Sequence, residues 1–350
     1  MPRQLRSGRK DLPMSEIDEL SLQDEIHEPV RFITSMSTAA EPAIIRSLSR
    51  LPGLNGCDLR ILRKKQNRLR ESAFLTAKTT LGVSSHAARG LASTLIFAQH
   101  QAGTAVCIDS RGWILTCAHC FGETPEEWKA ERLKWLLYYN GLAVQVKCRV
   151  WDERRDLALA KIVRIEVPDE QCRGSVNPIF TCVPIAESLS TCCPIFCIGQ
   201  PGADDLESDS PRKTAYDLIE LSRGRLCGMV PGADPQDNSD IGSLKHNAWT
   251  YWGHSGAPLL RRSDGALLGL HSSWDDATAM RHGVPLIAIP EFLREHLPTE
   301  LVNPIAPVYQ LSQIDLMLVF PALYCICRIL DLGWLELPFS MVGSHKFGSL

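Results

Sequence analysis

A histidine, an aspartate and a serine stand in sequence contexts that suit nucleophilic chemistry. His119 follows an apolar run that ends at Thr116, Asp156 directly precedes the apolar run Leu157–Val163, and Ser255 lies in a glycine-rich turn. A serine hydroxyl keeps its proton at neutral pH, so it needs a base, and an imidazole with a pKa of about 6.5 suits that task. A carboxylate can fix the imidazole tautomer and stabilise its cation. These residue types predict a hydrolase with a serine nucleophile.

The segments that carry these residues are short and apolar, with turn signals between them. Such spacing predicts an all-β protein built from a sandwich or barrels. One helical interruption is predicted over Pro125–Tyr139, and a closing helix is predicted to begin at Pro290, where proline suits a first turn. The predicted strands are Thr94–Ala98, Thr104–Ile108, Trp113–Thr116, Leu142–Val150, Leu157–Val163, Ile195–Ile198, Leu218–Leu221, Leu226–Val230, Ala266–His271 and Val284–Ile289.

Several of these strings resemble the motifs of the trypsin-like serine peptidases. They are Gly103–Cys120, which ends in Thr-Cys-Ala-His-Cys; Asp156-Leu-Ala-Leu; Ile198-Gly-Gln-Pro; and Gly253-His-Ser-Gly-Ala-Pro-Leu-Leu. Their order along the chain is that of chymotrypsin, and their residue sequences are most similar to those of the HtrA/Deg branch. The chain after Pro298 is too short for the PDZ domain that HtrA enzymes usually carry.

This resemblance implies a fold, a reaction and a set of site residues. The implied fold is a chymotrypsin-like double six-stranded β-barrel over residues 91–298. The implied catalytic triad is His119 and Asp156 from the first barrel and Ser255 from the second. The oxyanion hole would consist of the backbone N–H groups of Gly253 and Ser255, and the reaction would be peptide-bond hydrolysis through an acyl-enzyme.

Two positions beside the serine depart from the family pattern. His254 stands where trypsins have aspartate and HtrA-like enzymes have asparagine. Because that aspartate pairs with a newly cleaved N-terminus in trypsins, we expect an active state without propeptide cleavage, although His254 could also disturb the oxyanion loop. Ala257 replaces the usual second glycine, which is a mild change.

The cysteines also depart from the pattern of secreted trypsins. Cys120 follows the histidine as it does in those enzymes, but Thr104 stands where their partner cysteine would be, so that disulfide is absent. Cys117 and Cys120 form a Cys-x-x-Cys pair around His119. A zinc ion there would need a fourth ligand and would quench the base. We therefore predict buried thiols, no metal and no cofactor.

The substrate pocket supports two alternatives. Trp249 lies where trypsin has aspartate, so specificity for Lys or Arg is not supported. Thr250, His271 and Ser272 are the predicted substrate-binding residues. The segment around His271 resembles that of bacterial glutamyl endopeptidases, in which a hydroxyl and a histidine hold an acidic side chain. The other alternative is a small apolar HtrA-like pocket in which His271 is structural.

Composition and the flanking segments indicate the state of the cysteines, the cellular location and the extent of the folded domain. The chain has 350 residues, a net charge of −3 and 13 cysteines, an odd number that cannot pair completely within one chain. The charged start lacks the apolar core of a secretory signal, so we expect an intracellular protein, cytoplasmic or nuclear, with reduced thiols. Residues 1–90 are predicted to be a polar, partly disordered extension, and residues 299–350 a short tail with an apolar segment, Leu316–Cys327.

Three functions compete on this sequence. The first is a serine endopeptidase with protein or peptide substrates, which could form a homo-oligomer. The second is an inactive trypsin-like fold that serves as a protein-binding module because of His254. The third is a nucleic-acid-associated protein that binds through a basic helix at Arg60–Glu71, a segment that a solvated helix or nuclear-import signal explains more simply. Neither the net charge nor the tail favours nucleic-acid or membrane binding.

Overall fold

Two closed antiparallel β-barrels form the body of the protein. The computed structural model describes residues 41–46, 50–99, 103–167, 179–204 and 212–297. A short strand, β1 (Ala43–Arg46), precedes the barrels. The strands of the first barrel are β2 (Thr94–Phe97), β3 (Thr104–Asp109), β4 (Trp113–Thr116), β5 (Leu133–Tyr138), β6 (Ala143–Asp152) and β7 (Leu157–Val167). Those of the second are β8 (Pro194–Gly199), β9 (Glu220–Met229), β10 (Leu244–His246), β11 (Pro258–Arg261), β12 (Leu267–Asp275) and β13 (Met280–Pro285).

Strand pairing closes each barrel after six strands. In the first barrel the order is β7-β4-β3-β2-β5-β6, and β6 pairs back onto β7; β1 adds a parallel strand along β7. In the second barrel the order is β10-β13-β12-β11-β8-β9, closed between β9 and β10. Closure leaves no unpaired edge among the barrel strands. The predicted chymotrypsin-like double barrel is therefore confirmed.

Two helices precede the barrels and pack against them. Asn55 caps helix α1 (Gly56–Val83), and Ser84 caps helix α2 (Ser85–Ser93). The basic segment is helical as predicted, but it is not simply solvated, because α1 buries a stripe that includes Leu62 and Leu69. Gln66 and Arg63 on this stripe donate to the buried carboxylate of Glu166 on β7, at 2.9 and 2.8 Å.

The prediction of one helix over Pro125–Tyr139 is wrong. Helix α3 spans only Pro125–Ala130, and the rest of the segment is strand β5. Charges around Trp128, Leu133, Leu136 and Leu137 suggested a helix, but Leu136 and Leu137 pair with β2 on one side and β6 on the other. Burial between two strands outweighs local helix propensity here. Strand β10, which has three residues, and strand β11 were not predicted.

The C-terminal end of the described chain contains the predicted closing helix, but the predicted strand Val284–Ile289 is wrong. Strand β13 ends at Pro285, and the helix begins at Ala288, two residues before the predicted Pro290. Helix α4 spans Ala288–His296 and buries Ile289 and Phe292. The predicted apolar segment Leu316–Cys327 lies outside the described residues, as do the rest of the predicted tail 299–350 and residues 1–40 of the predicted extension. Across the described ranges, no helix has both the length and the hydropathy required to cross a membrane.

Candidate active site

His119 lies at the end of the first barrel, on a short turn that the fold holds rigidly. It occupies the middle of a 3-10 turn, Ala118–Cys120, just after β4. The indole N–H of Trp151 on β6 donates to Ala118 O at 3.0 Å and to Gly122 O at 3.3 Å, on either side of the histidine. The barrel therefore fixes the backbone that carries the imidazole.

Asp156 meets His119 through both of its carboxylate oxygens. Nδ1 of His119 lies 2.9 Å from Oδ1 and 3.0 Å from Oδ2, and the His119 backbone N–H donates to Oδ1 at 3.2 Å. Asp156 is almost fully buried and adopts a left-handed backbone with φ +51°. Aspartate tolerates this conformation better than most residues. The turn before β7 thus aims the carboxylate at the imidazole.

The electrostatics of Asp156 favour its ionised form. Burial by itself raises the pKa of this carboxyl, but the His119 charge and hydrogen bonds from His119 and Ser272 outweigh burial and lower the pKa. The Ser272 hydroxyl donates to Oδ2 at 2.8 Å. A carboxylate that stays charged at neutral pH can orient the imidazole and stabilise its cation.

Ser255 lies in a cavity of about 60 Å³ that it shares with His119. The structure therefore brings the three predicted triad residues into one region, since Asp156 lies directly behind His119. The predicted substrate-binding residues line the same cavity. Its full lining is His119, Thr250, Tyr251, Trp252, Gly253, Ser255, His271, Ser272, Ser273 and Trp274.

Outward hydrogen bonds hold the loop before Ser255. The carbonyl of Trp252 accepts from Gly202 N–H at 2.5 Å, and the carbonyl of His254 accepts from Ala257 N–H at 2.7 Å. In a trans peptide the N–H points opposite to the C=O of the same unit. The N–H groups of Gly253 and Ser255 therefore point opposite to the carbonyls of Trp252 and His254, away from the partners of those carbonyls. Neither N–H donates to any acceptor within the described residues.

His254 packs inside the second barrel and does not disrupt this loop. It is fully buried, and burial lowers its pKa to about 4, so the ring is neutral at physiological pH. Its Nδ1 lies 3.1 Å from both N and O of Tyr251. Gly199 is needed beneath it, since a Cβ there would come within 2.6 Å of the His254 ring.

His271, which lines the pocket, contacts a second buried histidine, His246. Nδ1 of His271 on β12 lies 3.1 Å from Nε2 of His246 on β10. Burial lowers the pKa of His271 well below its usual range and that of His246 to about 3, so both rings are neutral. Trp249 does not line the pocket; it packs edge-on against His254, with ring centroids 5.4 Å apart.

The only cation-binding geometry found among the described residues overlaps this site. The ligand atoms of Cys117, His119 and Asp156 lie within 4.8 Å of one another. Burial, followed by the Asp156 charge, raises the pKa of the Cys117 thiol well above its usual value. Metals bind the thiolate, so this donor set suits a hydrogen-bonded thiol better than a metal. Its thiol donates to His271 O at 3.4 Å.

The sequence did not reveal the roles of two residues at the candidate site, Ser272 and His246. Sequence reasoning assigned Ser272 to substrate, whereas the Ser272 hydroxyl donates to Asp156, although the residue also lines the cavity. It also passed over His246, which lies in a three-residue strand far from His271 in the chain. The alternation of His246 with Leu244 was the only local signal that its side chain points inward.

One comparison with known proteins agrees with this architecture. Residues 103–270 match the family model of the trypsin-like peptidase domain. That range contains His119, Asp156 and Ser255. A comparison of the chain with curated proteins returned no match.

Proposed function

We propose that this protein is a serine endopeptidase that acts through Ser255, His119 and Asp156. The observation that carries the proposal is the geometry around Ser255. Two backbone N–H groups, of Gly253 and Ser255, have no acceptor among the described residues and flank the cavity that also holds His119. Donors arranged in advance of the reaction are what an oxyanion requires, and losing one typically costs about 10²–10³ in rate.

The residues divide the work as follows. His119 takes the proton from the Ser255 hydroxyl as the oxygen attacks the peptide carbonyl. The N–H groups of Gly253 and Ser255 bind the resulting oxyanion. Asp156 keeps Nδ1 protonated and stabilises the imidazolium, which then protonates the leaving amine. Water hydrolyses the acyl-enzyme by the reverse proton movements, with His119 again as the base.

The pocket wall favours acidic substrates over small apolar ones, the alternative left open by the sequence. His246 Nε2–H can donate to His271 Nδ1, and His271 Nε2–H is then the nitrogen left for a ligand. Thr250 supplies a hydroxyl to the same cavity. Two neutral donors suit a carboxylate from a Glu or Asp side chain. The resemblance to the HtrA/Deg branch remains a proposal, as do the intracellular location and any homo-oligomer.

Active-site labelling tests the reaction. A fluorophosphonate probe should label the full-length protein on Ser255, and Ser255→Ala and His119→Ala should abolish labelling. Ser263→Ala, in an exposed turn away from the cavity, is the matched control and should label like the wild type. A folded wild type that resists the probe would contradict the proposal and favour the alternative of an inactive protein-binding module.

A peptide library tests the pocket separately. We expect cleavage after Glu or Asp, with kcat/KM for these substrates reduced about 10- to 100-fold in His271→Leu, because a buried donor to a charged group contributes on the order of 1.5–3 kcal/mol. For substrates with Ala or Val in place of the Glu or Asp, His271→Leu should reduce kcat/KM much less. Preferential cleavage after Val, Leu or Ala by the wild type would reject the acidic pocket while leaving the protease proposal intact.

A further inference from the structure

Helix α1 places one lysine against the first barrel instead of in solvent. The Lys65 ammonium donates to the backbone carbonyls of Phe97 at 2.8 Å and Gln99 at 3.0 Å, where β2 ends. Burial lowers the Lys65 pKa to about 8. Its neighbour Lys64 is exposed. Lys65 therefore contacts the barrel, as Arg63 does, whereas Lys64 between them does not.

Gln200 is the third acceptor of this ammonium. Its amide is almost fully buried, and its neighbours allow one orientation: the side-chain oxygen accepts from Lys65 Nζ at 3.0 Å and the NH₂ donates to Gly103 O at 3.1 Å. All three ammonium hydrogens can thus be paired. Hydrogen bonds from a cation are shorter and stronger than neutral ones, so they suit a fixed anchor.

Thr104 continues the contacts from Gln200 to the loop before Ser255. The Gln200 backbone N–H donates to Thr104 Oγ1 at 2.9 Å, and that hydroxyl donates to Gly253 O at 3.3 Å. The Thr104 backbone N–H donates to Ser255 O at 2.8 Å. Thr104 is fully buried, so these bonds do not compete with solvent.

The contacts form one connected path across both barrels. It starts on helix α1, crosses the end of the first barrel at Thr104, and ends on the carbonyls of Gly253 and Ser255. Those carbonyls lie on either side of the His254–Ser255 peptide unit. Holding these carbonyls fixes the position of the loop whose residues Gly253 and Ser255 line the cavity.

We propose that Lys65 is a positioning residue for the oxyanion loop, acting through Gln200 and Thr104. The inference rests on the proposed protease function for its effect on rate. Docking of α1 and formation of the oxyanion hole are then coupled without any cleavage of the chain. The positive charge that supports the loop is the ammonium of Lys65, a side chain of helix α1, which precedes the barrels.

The test replaces Lys65 with methionine, which keeps the length of the side chain and removes the ammonium. In full-length Lys65→Met, kcat for a peptide substrate should fall about 10-fold or more with KM changed less than about 2-fold, because the oxyanion forms only in the transition state. Affinity for a peptide boronate, which mimics the tetrahedral state, should fall by a similar factor. Lys64→Met is the matched control and should behave like the wild type.

Hydrogen exchange separates this inference from the protease proposal. The Thr104 amide donates onto the loop at Ser255 O, the amides of His254 and Ala257 donate within it, and the Gly256 amide donates from it to His271 O on β12. They should exchange faster in Lys65→Met than in Lys64→Met. Faster exchange in a protein that proves inactive would reject the protease function and retain the positioning role. Unchanged exchange would overturn the positioning role, whatever the activity of the wild type.

A second variant covers failure of Lys65→Met to fold. Gln200→Met removes the side-chain amide that pairs with Lys65 and Gly103 O but keeps the backbone N–H that donates to Thr104, and the same loop amides should exchange faster. Where both variants fold, the double variant should lose little more than either single one, because the two residues act in one path. Fully additive losses in kcat would show that the residues act independently and would also overturn the inference.

Discussion

At some positions of this protein, the surrounding atoms allow only one type of residue. Gly256 follows the serine with φ +81°, and a Cβ there would come within 2.1 Å of Thr104 O and 2.2 Å of Thr116 Oγ1. The position thus needs glycine both for its backbone conformation and for the close approach of β3 and β4. This explains why the motif has glycine directly after Ser255, while Ala257 fits at the following position.

Two glycine substitutions separate the effect of the positive φ from the effect of the close contact with Thr104 and Thr116. Gly228→Ala has a similar φ of +90° but nothing within 4 Å of the added Cβ, so it should lower the free energy of unfolding by about 1–2 kcal/mol. Gly256→Ala should cost clearly more, and it should reduce hydrolysis at least about 10-fold because the loop must move away from Thr104. Denaturant titration and rate measurements check both. Equal costs for the two variants would contradict the close contact.

At the scale of elements, helix α1 is part of the folded body. Its basic residues drew attention in the sequence, but its buried stripe anchors it on the first barrel. Arg63 and Gln66 converge on Glu166, which is only 2% exposed. A buried carboxylate of this kind requires partners that satisfy its oxygens, and the helix supplies them. The same stripe carries Lys65 to its acceptors.

Two leucines of α1 test whether the helix contributes to stability. Leu62 is 0% exposed, whereas Leu75 is 66% exposed. Leu62→Ala should lower the free energy of unfolding by about 2–5 kcal/mol through the lost burial and the cavity left behind. Leu75→Ala, with the same change in helix propensity, should stay within about 0.5 kcal/mol. Chemical denaturation measures both, and equal effects would mean that α1 is not docked in solution.

At the scale of the whole molecule, the second barrel holds three buried neutral histidines: His246, His254 and His271. Burial lowers the pKa of His246 to about 3 and that of His254 to about 4, and places the pKa of His271 well below its usual value. In the unfolded chain each imidazole has a pKa of about 6.5. Below that pH the unfolded chain takes up protons that the folded chain does not bind.

Stability should therefore fall on acidification. Between about pH 6.5 and pH 4, each of these histidines should reduce the free energy of unfolding by on the order of 1.4 kcal/mol per pH unit. Denaturant titrations at pH 7, 6 and 5 measure the slope. His254→Asn removes one titrating ring and should give a shallower slope than the wild type. A slope identical to that of the wild type would show that His254 is not buried and neutral as described.

Much of the proposed site could be predicted from local strings. His119, Asp156 and Ser255 lie in short motifs whose residue types and order indicate the chemistry. The apolar runs between turns predicted an all-β protein, and the resemblance to trypsin-like peptidases implied the double barrel. These features are readable because they depend on residues adjacent in the chain. The same local reasoning failed for Leu133–Tyr138, where pairing with two distant strands determines the conformation.

Only the tertiary structure decided which polar residues support the site. In the sequence Lys65 is one of several basic residues, His246 is an isolated histidine, and Thr104 looks like the site of a lost cysteine. Their roles depend on contacts with Gln200, His271 and Gly253, which lie far away in the chain. Burial, more than residue type, sets the pKa values of the histidines and the strength of the ammonium contacts, and burial exists only once both barrels and helix α1 have assembled.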